Sequence, residues 1–83
     1  MERNEIENKV TDILVEKLAV EPNEVTMKAK LEEDLLADSL DILEIVLEAE
    51  KVFTIDIKDK DAADIKTVKD IVDLIEKKTN KEA

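Results

Sequence analysis

The chain has 83 residues, with 13 Lys+Arg against 23 Asp+Glu, a net charge of −10, and no cysteine, histidine or glycine. Such a charge repels phosphates, which argues against nucleic acid and anionic membranes as partners and favours proteins with basic patches. The missing residue types remove disulfides, thiolate nucleophiles, thiolate metal sites and serine–histidine catalysis.

The length suits one small domain, which buries only about 60% of its unfolded surface. Apolar residues make up 43%, with Phe53 the single aromatic, so the core has to be built from Leu, Ile, Val and Ala. No apolar run is long enough to span a bilayer, and "MERNEIENKV" lacks the apolar stretch of a signal peptide. A soluble cytoplasmic monomer without membrane insertion is the expectation.

Ile6, Val10, Ile13, Leu14 and Leu18 follow helical spacing and predict a first helix over about Asn4–Leu18. Asn4 is the candidate N-cap, with Glu7 three residues on. "AVEPNEV" breaks that helix at Pro22. Val20 to Asp38 is a long connection, expected to be pinned to the core through Val25, Met27 and Leu31. A second helix is predicted from about Ser39 to Val52. "VFTIDI" is β-branched but has no glycine turn and no second strand to pair with, so it reads as a connector. "DKDAADI" suits a short third helix. Thr67 with Asp70 caps a last helix whose apolar face is Val68, Ile71, Val72 and Ile75, and about 78–83 is a frayed tail. The fold class is all-α: a small four-helix bundle of three main helices and one short one, with a long loop between the first two.

The second helix carries two apolar stripes. At about 100° per residue, Ile42, Ile45, Val46, Ala49 and Phe53 fall on one side, and Leu40, Leu43 and Leu47 roughly opposite. Asp41, Glu44 and Glu48 lie between them on one flank, and Glu50 borders the other. A surface helix needs one stripe to join a core. Leu43 lies nearest the core stripe, and packing and exposure are both open for it. Leu40 and Leu47 read as an exposed ridge flanked by carboxylates, suited to a partner with an apolar groove and basic rim.

Asp38 is a good N-cap type and makes Ser39 the first helical residue. "ADSLD" can be read as a plain helix start. Catalysis by Ser39 lacks a base, because the chain has no histidine and no lysine follows at i+3 or i+4. A phosphate ester there, by contrast, would sit beside unpaired N–H groups at the positive end of the helix dipole.

"EEDLLADSLDILEIVLEAEKVF", followed by "TIDIKDKDAADIKTVKDIVDLI", resembles an acyl carrier protein of the bacterial fatty-acid-synthesis type, with Asp38, Ser39 and Leu40 at its centre. The resemblance implies a non-catalytic carrier. A phosphopantetheinyl transferase would move 4′-phosphopantetheine from coenzyme A onto Ser39, and the arm's thiol would hold acyl groups as thioesters for acyl-transferring or synthase enzymes. That suits a chain without cysteine, since the cofactor supplies the sulfur. The resemblance also implies that Asp38, Leu40, Asp41, Glu44, Leu47 and Glu48 dock on basic partners. Ile57, Ala62, Ile65, Ile71 and Leu74 become candidates to line a shelter for the acyl chain, although each also reads as plain core.

Three positions depart from that family's pattern. Leu36 stands where glycine is frequent, and a positive φ there would strain a leucine by about 1 kcal/mol or more. Lys58 replaces a frequent proline, and Lys51 a frequent acid. Other readings are a carrier for polyketide, peptidyl or D-alanyl transfer, or a non-carrier helical interaction domain. A calcium loop begun at Asp56 fails, because it puts Lys58 and Lys60 at ligand positions and Thr67 at the place of the final glutamate.

Overall fold

The computed structural model describes residues 2–79, and the expected frayed tail beyond Thr79 lies outside them. Helix α1 spans Arg3–Leu18, α2 Ser39–Phe53, α3 Asp59–Ala63 and α4 Val68–Thr79, with a 3₁₀ turn at Pro22–Glu24. The all-α bundle of three long helices and one short one is as expected. Lys78 and Thr79 continue α4 as helix, past the expected start of the frayed tail.

Each long helix buries the stripe its sequence spells. Ile6, Val10, Ile13 and Leu14 of α1 are buried, as are Ile45, Val46, Ala49 and Phe53 of α2, and Val68, Ile71, Val72 and Ile75 of α4. Helix α1 packs against both α2 and α4. Its cap differs from expectation. Helical geometry begins at Arg3, so Glu2 occupies the N-cap and Glu5 accepts its N–H at 3.3 Å, while Asn4 lies inside the helix. At α4 the predicted box is present: Thr67 Oγ1 accepts the Asp70 N–H at 3.2 Å and Asp70 Oδ2 accepts the Thr67 N–H at 3.0 Å.

The long connection is held by more than its apolar residues. Val25 and Leu31 are buried and Met27 is partly so, but Ala29, Leu35 and Ala37 are buried as well. The backbone adds a strap to the start of α4. Leu31 N–H donates to Lys66 O, Val68 N–H to Ala29 O and Lys69 N–H to Met27 O, each at 3.0 Å, around one isolated antiparallel bridge between Lys30 and Thr67. These bonds satisfy buried backbone groups, and they carry the loop across the bundle to deliver Ser39 to its surface.

Without glycine, the chain makes its sharp reversals with residues that carry a Cβ. Ala19 (φ 56°), Leu36 (φ 60°) and Thr54 (φ 55°) are all left-handed. Each such residue costs about 1–2 kcal/mol, most reluctantly a β-branched one. Ala19 and Thr54 end α1 and α2, where glycine is the usual choice.

Candidate functional site

The mouth of α2 is built by a tight turn in the loop. Leu35 N–H donates to Lys30 O at 3.1 Å and Ala37 N–H to Leu31 O at 2.8 Å. Leu35 and Ala37 are buried, and Leu36 between them points outward with positive φ. Asp38 is the N-cap: its Oδ1 accepts the Asp41 N–H at 2.8 Å, and Asp41 Oδ2 returns the bond to the Asp38 N–H at 3.1 Å. Because Asp38 takes the cap, the Ser39 hydroxyl is left out of it, and the residue is exposed at the first helical position. The N–H groups of Ser39 and Leu40 have no acceptor one turn earlier in the helix, so an anion held at Ser39 meets unpaired donors and the positive end of the dipole. An ester phosphate therefore fits this hydroxyl chemically.

Beside Ser39 runs an apolar ridge. Leu36, Leu40, Leu43 and Leu47 are 80%, 67%, 52% and 49% exposed. Leu43, open on sequence grounds, thus belongs to the ridge. Asp38 and Glu44 stand exposed around it, while Asp41 and Glu48 are half-buried. Asp41, expected only as a docking residue, also commits its carboxylate to the cap.

On the inner side of α2 lies a small cavity of about 10 Å³. Ile57, Ile65, Ile71 and Leu74, four of the five sequence candidates, line it opposite Ile42 and Ile45, and every lining side chain is apolar. Ala62 is not in this lining. It is half-buried against the core from α3. The volume is about that of one water, so this is a closed seam. A surface groove of about 230 Å³, walled by Glu32, Glu33, Lys66 and Thr67, meets the seam at Leu31, Ile42 and Ile65. Ile42, which lies one turn beyond Ser39 in α2, is common to groove and seam.

The outer wall of the seam is held by polar contacts that apolar periodicity does not reveal. Glu50 Oε2 accepts the Ile57 N–H at 2.8 Å. Lys78 Nζ lies 3.1 Å from Asp61 Oδ2, joining α3 to α4. That hydrogen bond, followed by the backbone N–H of Lys58, holds the Asp61 carboxyl below its ordinary value against partial desolvation. Leu31 and the inner face of α2 (Ile42, Ile45, Val46 and Ala49) complete the lining; the sequence marked the first only as a loop anchor and the others only as core. Among the described residues no helix is long and apolar enough to cross a membrane, and no cluster of three or more acidic side chains is arranged to hold a metal ion.

With the serine, the ridge and the seam in place, comparison with known proteins is decisive. Residues 8–75 match the family model described as "phosphopantetheine attachment site". The chain belongs to the acyl carrier protein family. It is 55% identical over 75 residues to an acyl carrier protein of Amoebophilus asiaticus, covering 90% of this chain and 94% of that one. An acyl carrier protein of Porphyromonas gingivalis is 50% identical over 74 residues, covering 89% and 95%. Among solved structures, an acyl carrier protein from Thermotoga maritima superposes with a TM-score of 0.85 at 30% identity, covering all of this chain and 96% of the other. One from Enterococcus faecalis, described for high thermal stability, gives 0.76 at 40% identity, covering 90% and 95%. As a family member the chain is a non-catalytic carrier, acted on by enzymes, and its cofactor is 4′-phosphopantetheine, covalently held and taken from coenzyme A.

Proposed function

We propose that this carrier holds the acyl intermediates of fatty-acid biosynthesis on 4′-phosphopantetheine attached to Ser39, as a cytoplasmic monomer working as one domain. The observation that carries the reading is that Ser39, the only serine in the matched region, stands exposed at the first turn of α2 and outside its cap. In the attachment step the Ser39 Oγ attacks the β-phosphorus of coenzyme A. A new P–O bond forms, the phosphoanhydride breaks, adenosine 3′,5′-bisphosphate leaves, and the hydroxyl proton passes to a base on the phosphopantetheinyl transferase. Once bound, the arm supplies a thiol that holds acyl groups as thioesters.

The chain's own residues do the rest. The helix start stabilises the phosphodiester. Leu40 and Leu47, with Asp38, Asp41, Glu44 and Glu48 around them, meet partners whose apolar grooves have basic rims, and the charge of −10 steers those partners in. The seam lined by Ile57, Ile65, Ile71 and Leu74 opens for an acyl chain by parting aliphatic side chains, a rearrangement that breaks no aromatic stacking or hydrogen bond in the lining. Ala62 takes part only if α3 shifts.

The test is mass spectrometry after incubation with coenzyme A and a phosphopantetheinyl transferase. An adduct on the wild type and none on Ser39→Ala is expected. No adduct with several transferases would point to a non-carrier helical interaction domain. The pathway is then read from what loads the thiol. Malonyl transfer supports fatty-acid synthesis, and D-alanyl, aminoacyl or polyketide-extender loading supports the other carrier readings.

A further inference from the structure

Leu36 combines two unfavourable features in one residue. It is the most exposed large apolar side chain of the described chain, and it sits at φ 60°, where a Cβ is strained. Neither can relax. The flanking backbone bonds, Leu35 N–H to Lys30 O and Ala37 N–H to Leu31 O, close the turn, and both neighbours are buried. Rotating Leu36 into the ordinary region would unseat them. Strain that the surroundings enforce, at a position where the side chain makes no core contact, marks a residue kept for what it presents.

What it presents is continuous with the ridge. Leu36 and Leu40 bracket Ser39, so the apolar surface extends past the serine on the loop side. Exposed Glu32, Glu33, Asp34 and Asp38 flank Leu36 along the chain, and Lys30, the nearest cation on the loop side in sequence, is drawn to Glu33 at 3.5 Å. The complementary surface is an apolar recess ringed by lysine or arginine. Enzymes that act on the thiol meet the ridge too, but their active sites need reach only the end of the arm. The enzyme that forms the phosphodiester has to sit over Ser39 itself, three residues from Leu36.

We propose that Leu36 is a docking anchor for the phosphopantetheinyl transferase, entering an apolar, basic-rimmed recess beside that enzyme's active site. The inference rests on Ser39 being the attachment residue. The test measures KM and kcat for transfer from coenzyme A to the full chain in wild type, Leu36→Asn and Leu36→Met, with melting followed by far-UV circular dichroism. Asparagine tolerates the left-handed conformation but loses the apolar contact, and methionine retains the contact. Leu36→Asn is expected to raise KM about tenfold with kcat unchanged and Tm equal or higher, and Leu36→Met to stay within about twofold of wild type. An unchanged KM in Leu36→Asn, an equal rise in Leu36→Met, or a fall in Tm by several degrees in Leu36→Asn would overturn it. A wild type that gains its adduct at Ser39 while Leu36→Asn keeps its KM refutes the anchor alone. A wild type that gains none refutes the attachment reading and the anchor together.

Discussion

Asp38 and Ser39 are neighbours with opposite duties. Asp38 closes the first turn of α2 through Asp41, and Ser39 contributes nothing to that closure. Ser39→Ala should therefore lower Tm by less than about 2 °C, while Asp38→Ala should lower stability by about 1 kcal/mol, or roughly 4–8 °C in a domain of this size. The protein has no Trp or Tyr, so circular dichroism or calorimetry is the suitable probe. Comparable losses in the two variants would mean that the serine shares the cap. Thr54 gives a second case. Its left-handed conformation is the least suited to a β-branched side chain. Thr54→Gly should raise stability by about 0.5–1 kcal/mol, after the extra freedom glycine confers on the unfolded chain is subtracted. A calorimetric Tm below wild type would refute this.

Helix α2 serves two surfaces at once, and each is open to a separate test. On the outer side, Glu44 is exposed and free of the cap. Glu44→Lys should slow loading by basic partner enzymes several-fold, more so at low salt, with Tm within about 2 °C of wild type. Loading at an unchanged rate would count against this docking face. At its end, Glu50 organises the turn into the seam: its carbonyl accepts Ile55 N–H at 3.2 Å and its carboxylate accepts Ile57 N–H at 2.8 Å. Glu50→Ala leaves the partly buried Ile57 N–H without its acceptor, which should cost about 1–2 kcal/mol. Native-state hydrogen exchange should show lost protection centred on Ile57, and protection unchanged there would show that another group takes the bond.

A net charge of −10 on 83 residues makes self-repulsion a property of the whole molecule. The Debye length falls from about 30 Å at 0.01 M salt to about 8 Å at 0.15 M, so Tm should rise between those conditions even though the surface ion pairs weaken. A flat or falling Tm would mean that the local pairs dominate. Against this background Asp61 and Asp73 work the other way. Lys78 lowers the Asp61 carboxyl, and Lys69 followed by Arg3 lowers that of Asp73, from an ordinary 3.8. A lowered folded value means the unfolded chain binds more protons. Their stabilisation is therefore complete above 3.8 and is lost as pH falls through the folded values. Both residues are half-buried and solvent still screens their ion pairs, so the effect is small. The Tm difference between wild type and Asp61→Asn should shrink from about pH 5 to about pH 2, and a difference constant over that range would show that the Lys78 pairing is not its source.

Helix positions were legible in the residues, and so were the buried faces of α1 and α4, because apolar spacing leaves each of these one face to bury; α2 carries two apolar stripes, and only packing decided that Leu40, Leu43 and Leu47 stay outside. The Thr67–Asp70 box and the Asp38 cap were legible for a similar reason: capping is local, and its chemistry lies within four residues. The cap of α1 was misplaced by two residues because Glu2 and Asn4 both suit a helix start, and local composition does not choose between them. Leu36 could be marked as a strain site only on condition that the turn needed positive φ. The Lys30–Leu31 strap to Lys66–Thr67, the Lys78–Asp61 pair and the Glu50–Ile57 bond join residues through backbone groups or distant charges, which leave no periodic trace. The seam shows the same division. Its aliphatic lining follows from composition and spacing, but its closure to the size of one water depends on how α2, α3 and α4 pack, as does Ala62 standing outside it. Packing joins residues far apart in the chain, and no local pattern encodes the distance between them.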